Sequence, residues 1–189
     1  MTIIYIASTN STPLGEIWVA VSENGLVAVE FPVDQVSFRA NLNRRHAASI
    51  ETDPSCTTQV IIQLEEYASG LRREFNLPID WSAMGDFQRS ALQATCAIPF
   101  GQTRTYQQVA IQVGSPRAAR AVGRAEATNP MPLVIPCHRV VGADGKLHGY
   151  GAGQGLSTKT WLLNLEGVPG YAAPFLSDNI PGQGYHDAR

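Results

Sequence analysis

The dipeptide Asn24-Gly25 constrains the fold of this chain more than any other feature of its sequence. Asn-Gly between two apolar runs is the strongest short hairpin signal a sequence carries. Before it, Ile17, Val19 and Val21 alternate with polar or small residues, the period-two pattern of a half-buried strand. After it, Leu26-Val27-Ala28-Val29-Glu30-Phe31 forms the return strand, and Pro32 ends it. Residues 2–7 (TIIYIA) are β-branched and aromatic, and Pro13-Leu14-Gly15 reads as a turn. An antiparallel meander is expected at the N-terminus.

The elements that follow are helical. Residues 34–48 hold Val36, Phe38 and Leu42 among three basic residues, a plausible helix. Asp53-Pro54 is a helix start, Val60, Ile61, Leu64 and Tyr67-Ala68 recur at helical spacing, and Gly70 closes the element. Residues 75–81 (FNLPIDW) suggest a short edge strand, because their proline cannot donate to a ladder. Met84-Gly85-Asp86 is a break, with Asp86 placed to cap the next helix. That helix carries Phe87, Ala91, Leu92, Thr95 and Ile98 and stops at Pro99 and Gly101.

Two short helices come next. Thr105 can cap one that holds Tyr106, Val109 and Ala110 and ends at Gly114. Ser115 at N-cap and Pro116 at the first position open the other, residues 117–126. Two short helices joined by a Gly-containing turn have the shape of a helix-turn-helix. Asn129-Pro130-Met131-Pro132 is a rigid turn, and Leu133-Val134-Ile135 leads inward to Pro136-Cys137-His138-Arg139. Glycines at 142, 145, 149, 151, 153 and 155 make a mobile, close-packing loop. Ser157 caps a last helix with Trp161, Leu162 and Leu165 on one face, stopped by Gly167. The fold class is therefore α+β. A small antiparallel-sheet domain with helices spans 1–85, a mainly helical domain spans 86–170, and 171–189 form a tail.

Composition narrows the function classes. Of 189 residues, 44% are hydrophobic, enough to build a core and exclude disorder of the whole chain. No apolar run is long enough to span a bilayer, so no membrane partner is expected, and the first residues lack the basic and apolar regions of a secretory signal. Cys56, Cys96 and Cys137 are too few and too widely spaced for a disulfide framework, which fits a reducing cytoplasm. No Cys/His cluster supports a metal site, and no phosphate-binding glycine motif calls for a nucleotide cofactor. The net charge of -2 argues against nucleic acid, but it is an average. Residues 1–100 sum to -5 and residues 101–189 to +3, an asymmetry that suggests a polyanion partner for one half only.

Three features could carry chemistry. Cys137 lies between a buried apolar run and a histidine. It is either a small core hydrophobe or a nucleophile, and a nucleophile needs a base or positive surroundings to become a thiolate. Adjacent side chains on a strand point apart, so His138 can serve Cys137 only if the chain turns there or a water bridges them. Glu166, at a helix C-terminus, opposes the helix dipole; it is either a solvated carboxylate or the third member of a Cys-His-acid relay. Arg117, Arg120 and Arg124 lie three and four apart on one helical face. Ala118, Ala119, Ala121 and Gly123 leave the helix bare between them, which suits close approach to a nucleic-acid groove and suits core packing equally.

Pro136-Cys137-His138-Arg139-Val140 resembles the PCHRV signature of the O6-alkylguanine-DNA alkyltransferases (methylated-DNA–protein-cysteine methyltransferases). Ile98-Pro99-Phe100-Gly101-Gln102-Thr103 with Thr105-Tyr106-Gln107-Gln108-Val109-Ala110 is similar to the family's IPxGxT…TYxxVA segment. Ala119-Arg120-Ala121-Val122-Gly123 and Asn129-Pro130 resemble its recognition helix and Asn hinge, and Trp161-Leu162-Leu163 with Glu166-Gly167 its closing WLLxxEG. The resemblance is strong over 86–168 and faint before. It implies stoichiometric, irreversible repair of O6-alkylguanine, and of O4-alkylthymine, in double-stranded DNA by a monomer of the cytoplasm, or also of the nucleus in a eukaryote.

The same resemblance implies the roles of individual residues. Cys137 would accept the alkyl group; His138, through a water, would deprotonate it; and Glu166 would orient His138. Asn129 would hold the active-site turn. Tyr106 would give a proton to the departing guanine and help rotate the target phosphate. Arg120 would fill the space of a flipped base. Ala118, Ala119, Ala121 and Gly123 would lie in the minor groove, with Arg117, Arg124 and Thr105 on the DNA. Pro132, Val140, Tyr150 and Gly151 would line the base pocket. Two positions depart from the pattern: Thr128 stands where many relatives have arginine, and Glu126 puts an acid at the end of the DNA-facing helix. Both are expected to weaken phosphate attraction. Cys137 argues against a lesion-binding relative lacking the reactive thiol. A hydrolytic Cys-His-Glu enzyme would leave Tyr106 and the arginine helix without a purpose.

Overall fold

The computed structural model describes residues 2–10 and 12–171; the expected tail lies almost wholly outside them. Strands β1 (Thr2–Ser8), β2 (Trp18–Ser22) and β3 (Gly25–Glu30) form the expected meander. The sheet is nevertheless mixed, in the order β3-β2-β1-β4, because β4 (Ala48–Glu51) runs parallel to β1. Four residues with an alternation too short to detect gave no strand signal. The helix expected over 34–48 accordingly stops early: α1 is Gln35–Arg45, capped by Asp34.

The hairpin turn uses its glycine in another way than the dipeptide suggests. Its two loop residues are Glu23 and Asn24, and Ser22 pairs with Gly25. Gly25 alone takes positive φ, at 130°. A Cβ there would lie 2.4 Å from the carbonyl oxygen of Pro78, so glycine also permits the 78–80 segment to approach β3. That segment is not the strand expected over 75–81. It makes a single bridge, Leu26 to Ile79, held by Leu26 N–H to Pro78 O at 2.8 Å and Asp80 N–H to Leu26 O at 2.9 Å.

The sheet separates two cores. Trp18, Ala20, Ile4, Ile6 and Val27 pack against Phe38 and Leu42 of α1. On the other face Ile17, Val19, Leu26 and Val29 meet Leu64 and Tyr67 of α2 (Pro54–Ala68). This second core continues into the C-terminal part through Leu92, Met131, Leu133 and Leu162, so the sheet and the helical half share one interior. At about 25 cal/mol per Å² of apolar area, this shared burial is what fixes the two halves against each other.

The helical half comprises α3 (Asp86–Cys96), α4 (Tyr106–Gln112), α5 (Ala119–Ala127) and α6 (Leu156–Leu165). A third core of Ala91, Ala94, Val109, Ala110, Val122 and Ala125 binds α3, α4 and α5. Thr105 caps α4 in a full capping box with Gln108. Three expected caps do not form. Gly85 stands at the N-cap of α3, and Asp86 pairs with Arg89 inside the helix. Ser115-Pro116-Arg117 is a turn, closed by Ala118 N–H to Ser115 O at 2.8 Å, so α5 begins two residues late with Ala118 at its N-cap. Gly155 precedes α6, and Ser157 lies within it. Arg117 therefore leaves the face shared by Arg120 and Arg124.

Candidate active site

Two local devices bring the site together. Strand β5 (Arg104–Thr105) pairs in parallel with β6 (Val140–Val141), which sets the start of α4, and so Tyr106, beside the segment that carries Cys137. After Pro136 the chain makes one 3-10 turn, Cys137–Arg139. The chain thus turns where a strand would have thrown Cys137 and His138 to opposite sides. Asn129 fastens the approach to this turn: its Nδ2 donates to Ile135 O at 2.9 Å and its Oδ1 accepts from Met131 N–H at 3.0 Å. The enclosed loop holds Leu133 at φ 76°, a strained conformation for a branched residue.

Glu166 is not a surface carboxylate but the most heavily bonded one in the site. Its side chain is buried and accepts from Tyr67 Oη at 2.6 Å, His138 Nε2 at 2.9 Å, Arg139 Nη2 at 2.8 Å and the Gly101 N–H at 3.1 Å. Burial alone would raise its pKa. The hydrogen bonds and charges of His138 and Arg139 outweigh burial and hold it well below the carboxylate range. A carboxylate oxygen only accepts, so His138 Nε2 carries a proton. Burial keeps His138 neutral by pushing its pKa down, against the pull of Glu166. Its Nδ1 is buried with no hydrogen-bond partner among the described residues, which leaves a basic nitrogen unused.

Cys137 is a thiol at rest. Burial pushes its pKa up to about 12, Glu126 adds to the shift, and Asn129 and Lys159 oppose it. It lines a cavity of ≈ 720 Å³ together with Tyr106, Arg120, Glu126, Tyr150 and Lys159. Tyr106 donates to His148 O at 2.9 Å, and burial raises its pKa to about 12, so it holds a proton to give. Gly123 sits under its ring, with room for a Cβ at 3.9 Å. Gly151 also lines this cavity, and a side chain there would meet the Ala127 carbonyl oxygen at 2.9 Å.

The structure brings most expected site residues to this one place. Arg120 and Arg124 are exposed on α5, Ala118, Ala119, Ala121 and Gly123 are half-buried beside them, and Arg117 is exposed on the preceding turn. Two of the expected pocket residues fall elsewhere. The Val140 side chain packs in the third core, and only its carbonyl faces the site, accepting from Lys159 Nζ at 2.6 Å. Pro132 borders a second cavity of ≈ 490 Å³ on the far side of Cys137. Glu126 is corrected outright. It is not on the exposed face of α5 with Arg120 and Arg124 but is 7% exposed and takes a hydrogen bond from Thr95 Oγ1 at 2.6 Å. Sequence reasoning missed Tyr67, the grip of Arg139 on Glu166, and Lys159. Tyr67 carried a signal only as one apolar position in a helical period, which says nothing of its hydroxyl.

A helix-turn-helix packed on α3, joined to a mixed sheet through a shared core and carrying a buried Cys-His-Glu set that opens into a cavity beside the second helix, defines a cysteine-dependent protein built around a helix-turn-helix. Comparison with known proteins makes the class specific. Residues 86–168 match the 6-O-methylguanine DNA methyltransferase DNA binding domain, and residues 4–81 match the ribonuclease-like domain of the same protein. The methylated-DNA–protein-cysteine methyltransferase of Methanosarcina barkeri is 40% identical over 159 residues, covering 82% of this chain and 92% of its own. The constitutive enzyme of that name from Bacillus subtilis is 36% identical, covering 85% and 94%. Among solved structures, the Mycobacterium tuberculosis OGT in complex with DNA superposes with a TM-score of 0.71 at 32% identity, covering 89% of this chain and 96% of that one. The chain belongs to the 6-O-methylguanine DNA methyltransferase family, and its activity is that of a methylated-DNA–protein-cysteine methyltransferase, which repairs alkylated DNA by alkyl transfer.

Proposed function

We propose that Cys137 takes the alkyl group from O6-alkylguanine, and from O4-alkylthymine, after the base has been rotated out of duplex DNA approached from the minor groove. The observation that carries this reading is the position of Cys137 on a cavity wall, beside a histidine whose far nitrogen is held by a buried carboxylate. A purine stacked in a duplex cannot reach a buried thiol, so the base must leave the stack. Arg120, exposed at the first turn of α5 and lining the cavity mouth, fills the gap. Ala118, Ala119, Ala121 and Gly123 let α5 lie close to the groove floor, while Arg117, Arg124 and Thr105 meet the backbone. Residues 86–170 form the DNA-handling domain, 1–85 the scaffold, and the protein acts as a monomer in the cytoplasm.

The chemistry is displacement at saturated carbon. The Cys137 sulfur–carbon bond forms as the carbon–O6 bond breaks, and the bond electrons pass into the purine. His138 Nδ1 receives the thiol proton, directly or through a water, and Glu166 holds the resulting imidazolium. Tyr106 gives its proton to the purine as negative charge develops there, so guanine leaves neutral; the imidazolium of His138 then returns its proton through water to the Tyr106 phenolate, and the net proton flow runs from thiol to guanine. The thioether is not reversed, so each molecule acts once. Intact-mass and peptide mapping after mixing with O6-methylguanine duplex are expected to show one methyl group on the Cys137 peptide. DNA retention with unchanged protein mass would instead favour lesion binding without transfer.

A further inference from the structure

The mechanism leaves one buried acid of the site unused. Glu126 lines both cavities, and so do Cys137, Ala127 and Gly151, which stand between them. Its Oε1 lies 2.6 Å from Thr95 Oγ1, which is also 3.0 Å from Ala91 O. One hydroxyl hydrogen cannot serve two acceptors. Thr95 donates to Oε1 when Glu126 is ionised; when Glu126 is protonated it donates to Thr95 instead, which then donates to Ala91, and both contacts are satisfied. The other oxygen, Oε2, is buried and has no partner among the described residues. A buried acceptor left without a donor is destabilising, and the residue that carries it borders both cavities.

We propose that Glu126 is a specificity-determining residue, whose carboxyl reads the tail of the alkyl group: it admits adducts that end in a hydrogen-bond donor and rejects adducts that carry an acidic group. The proposal rests on the repair reading above and deepens it. In a displacement on sulfur the transferred carbon sits against Cys137 Sγ, so any atoms beyond it occupy the space around that sulfur. Asn129, Tyr150 and Lys159 also act on that sulfur, but on the wall that both cavities share, Glu126, Ala127 and Gly151, only Glu126 bears a side-chain polar group. A hydroxyethyl tail gives Oε2 the donor it lacks. A carboxymethyl tail brings a second acceptor and, once Glu126 ionises, a like charge.

Ionisation falls in an accessible range. Burial raises Glu126 to about 7, with the Thr95 hydrogen bond and Lys159 pulling it down. The groups facing it are Cys96 and Thr95 on α3, Tyr106 on α4, Cys137 on its turn and Lys159 on α6. Arg120 and His148 share the first cavity, and the Glu30–Arg45 ion pair borders the second. Ionisation of the Cys137 thiol affects every adduct alike and cancels in a ratio of rates.

The test uses the full chain and one duplex carrying O6-methyl-, O6-(2-hydroxyethyl)- or O6-carboxymethylguanine, with single-turnover rates at pH 6 and pH 8. The carboxymethyl-to-methyl ratio is expected to fall about tenfold between these values, following the neutral fraction of Glu126. The hydroxyethyl-to-methyl ratio is expected not to fall. In Glu126→Gln the carboxymethyl ratio becomes flat with pH, whatever the absolute rates. A flat ratio in the unaltered protein, or an equal fall in Glu126→Gln, overturns the proposal while leaving repair intact; no adduct on Cys137 from any substrate overturns both. Should Glu126→Gln fail to fold, His148→Asn on the exposed loop decides: a fall that persists supports Glu126, and one that disappears refutes it.

Discussion

The hydroxyl of Tyr67 joins α2 to the buried Glu166 through a 2.6 Å hydrogen bond. In the sequence Cys137, His138 and Glu166 stood out through the resemblance to the PCHRV and WLLxxEG motifs, Cys137 and Glu166 each having an ordinary structural reading alone. Tyr67 did not, since a hydroxyl bonded to Glu166 from 99 positions away leaves no local trace. Yet Tyr67 is the link by which the N-terminal part holds the carboxylate network around Glu166. Tyr67→Phe keeps the ring against Phe75 and Phe100 and removes the 2.6 Å bond to Glu166 Oε1 and the 3.3 Å contact with His138 Nε2. Arg139 still neutralises that carboxylate, so the expected cost is about 1–2 kcal/mol of unfolding free energy, measured by urea denaturation. Methyl transfer should slow measurably at constant DNA affinity, because His138 loses one of the contacts that fix its ring. Unchanged stability and rate would mean that Arg139 and Gly101 alone position Glu166.

Elements were legible through their chemistry of starts and stops. Asp53 and Thr105 cap the helices predicted for them, and Gly70, Gly101, Gly114 and Gly167 take the positive φ that ends an element. The failures at Asp86, Ser115 and Ser157 share a cause. In each case the chain entering the helix is held by tertiary contacts or a turn, and cap preference of about 1 kcal/mol does not decide against them. For α5 the consequence is functional. Its late start puts Arg120 in the first turn, where the helix end meets the cavity, and leaves Arg117 outside the helix. Arg120→Ala is therefore expected to slow methyl transfer from duplex DNA by about tenfold or more, since a stacked group in the base gap is worth about 1–3 kcal/mol. Reaction with free O6-benzylguanine, which needs no gap filled, should change far less. Parallel single-turnover assays check this, and an equal loss on both substrates would mean that Arg120 does not fill the gap left by the flipped base.

At the scale of the whole molecule, the two-part architecture was visible in the change of sequence character near residue 86, and the charge asymmetry pointed to the half that handles DNA. What the sequence could not carry is the coupling of the halves through one core and one carboxylate network. The same separation governs pH behaviour. Glu166, depressed in the folded state, contributes stability above its unfolded pKa and loses it as pH falls below that value. His138, also depressed, adds to the acid limb as pH falls below its ordinary 6.5. Glu126 has the opposite sign. Its folded pKa of about 7 exceeds the ordinary 4.5, so its proton favours the native state, and this stabilisation is lost as pH rises through 7. The difference in unfolding free energy between the unaltered protein and Glu126→Gln removes the acid-limb groups, which both share. That difference is expected to shift by about 2 kcal/mol against the unaltered protein between pH 5 and pH 8. Urea denaturation followed by tryptophan fluorescence at several pH values measures it. A difference that stays constant with pH would place an ordinary, solvent-like carboxylate at position 126, and would remove the ionisation on which the selection of adducts depends.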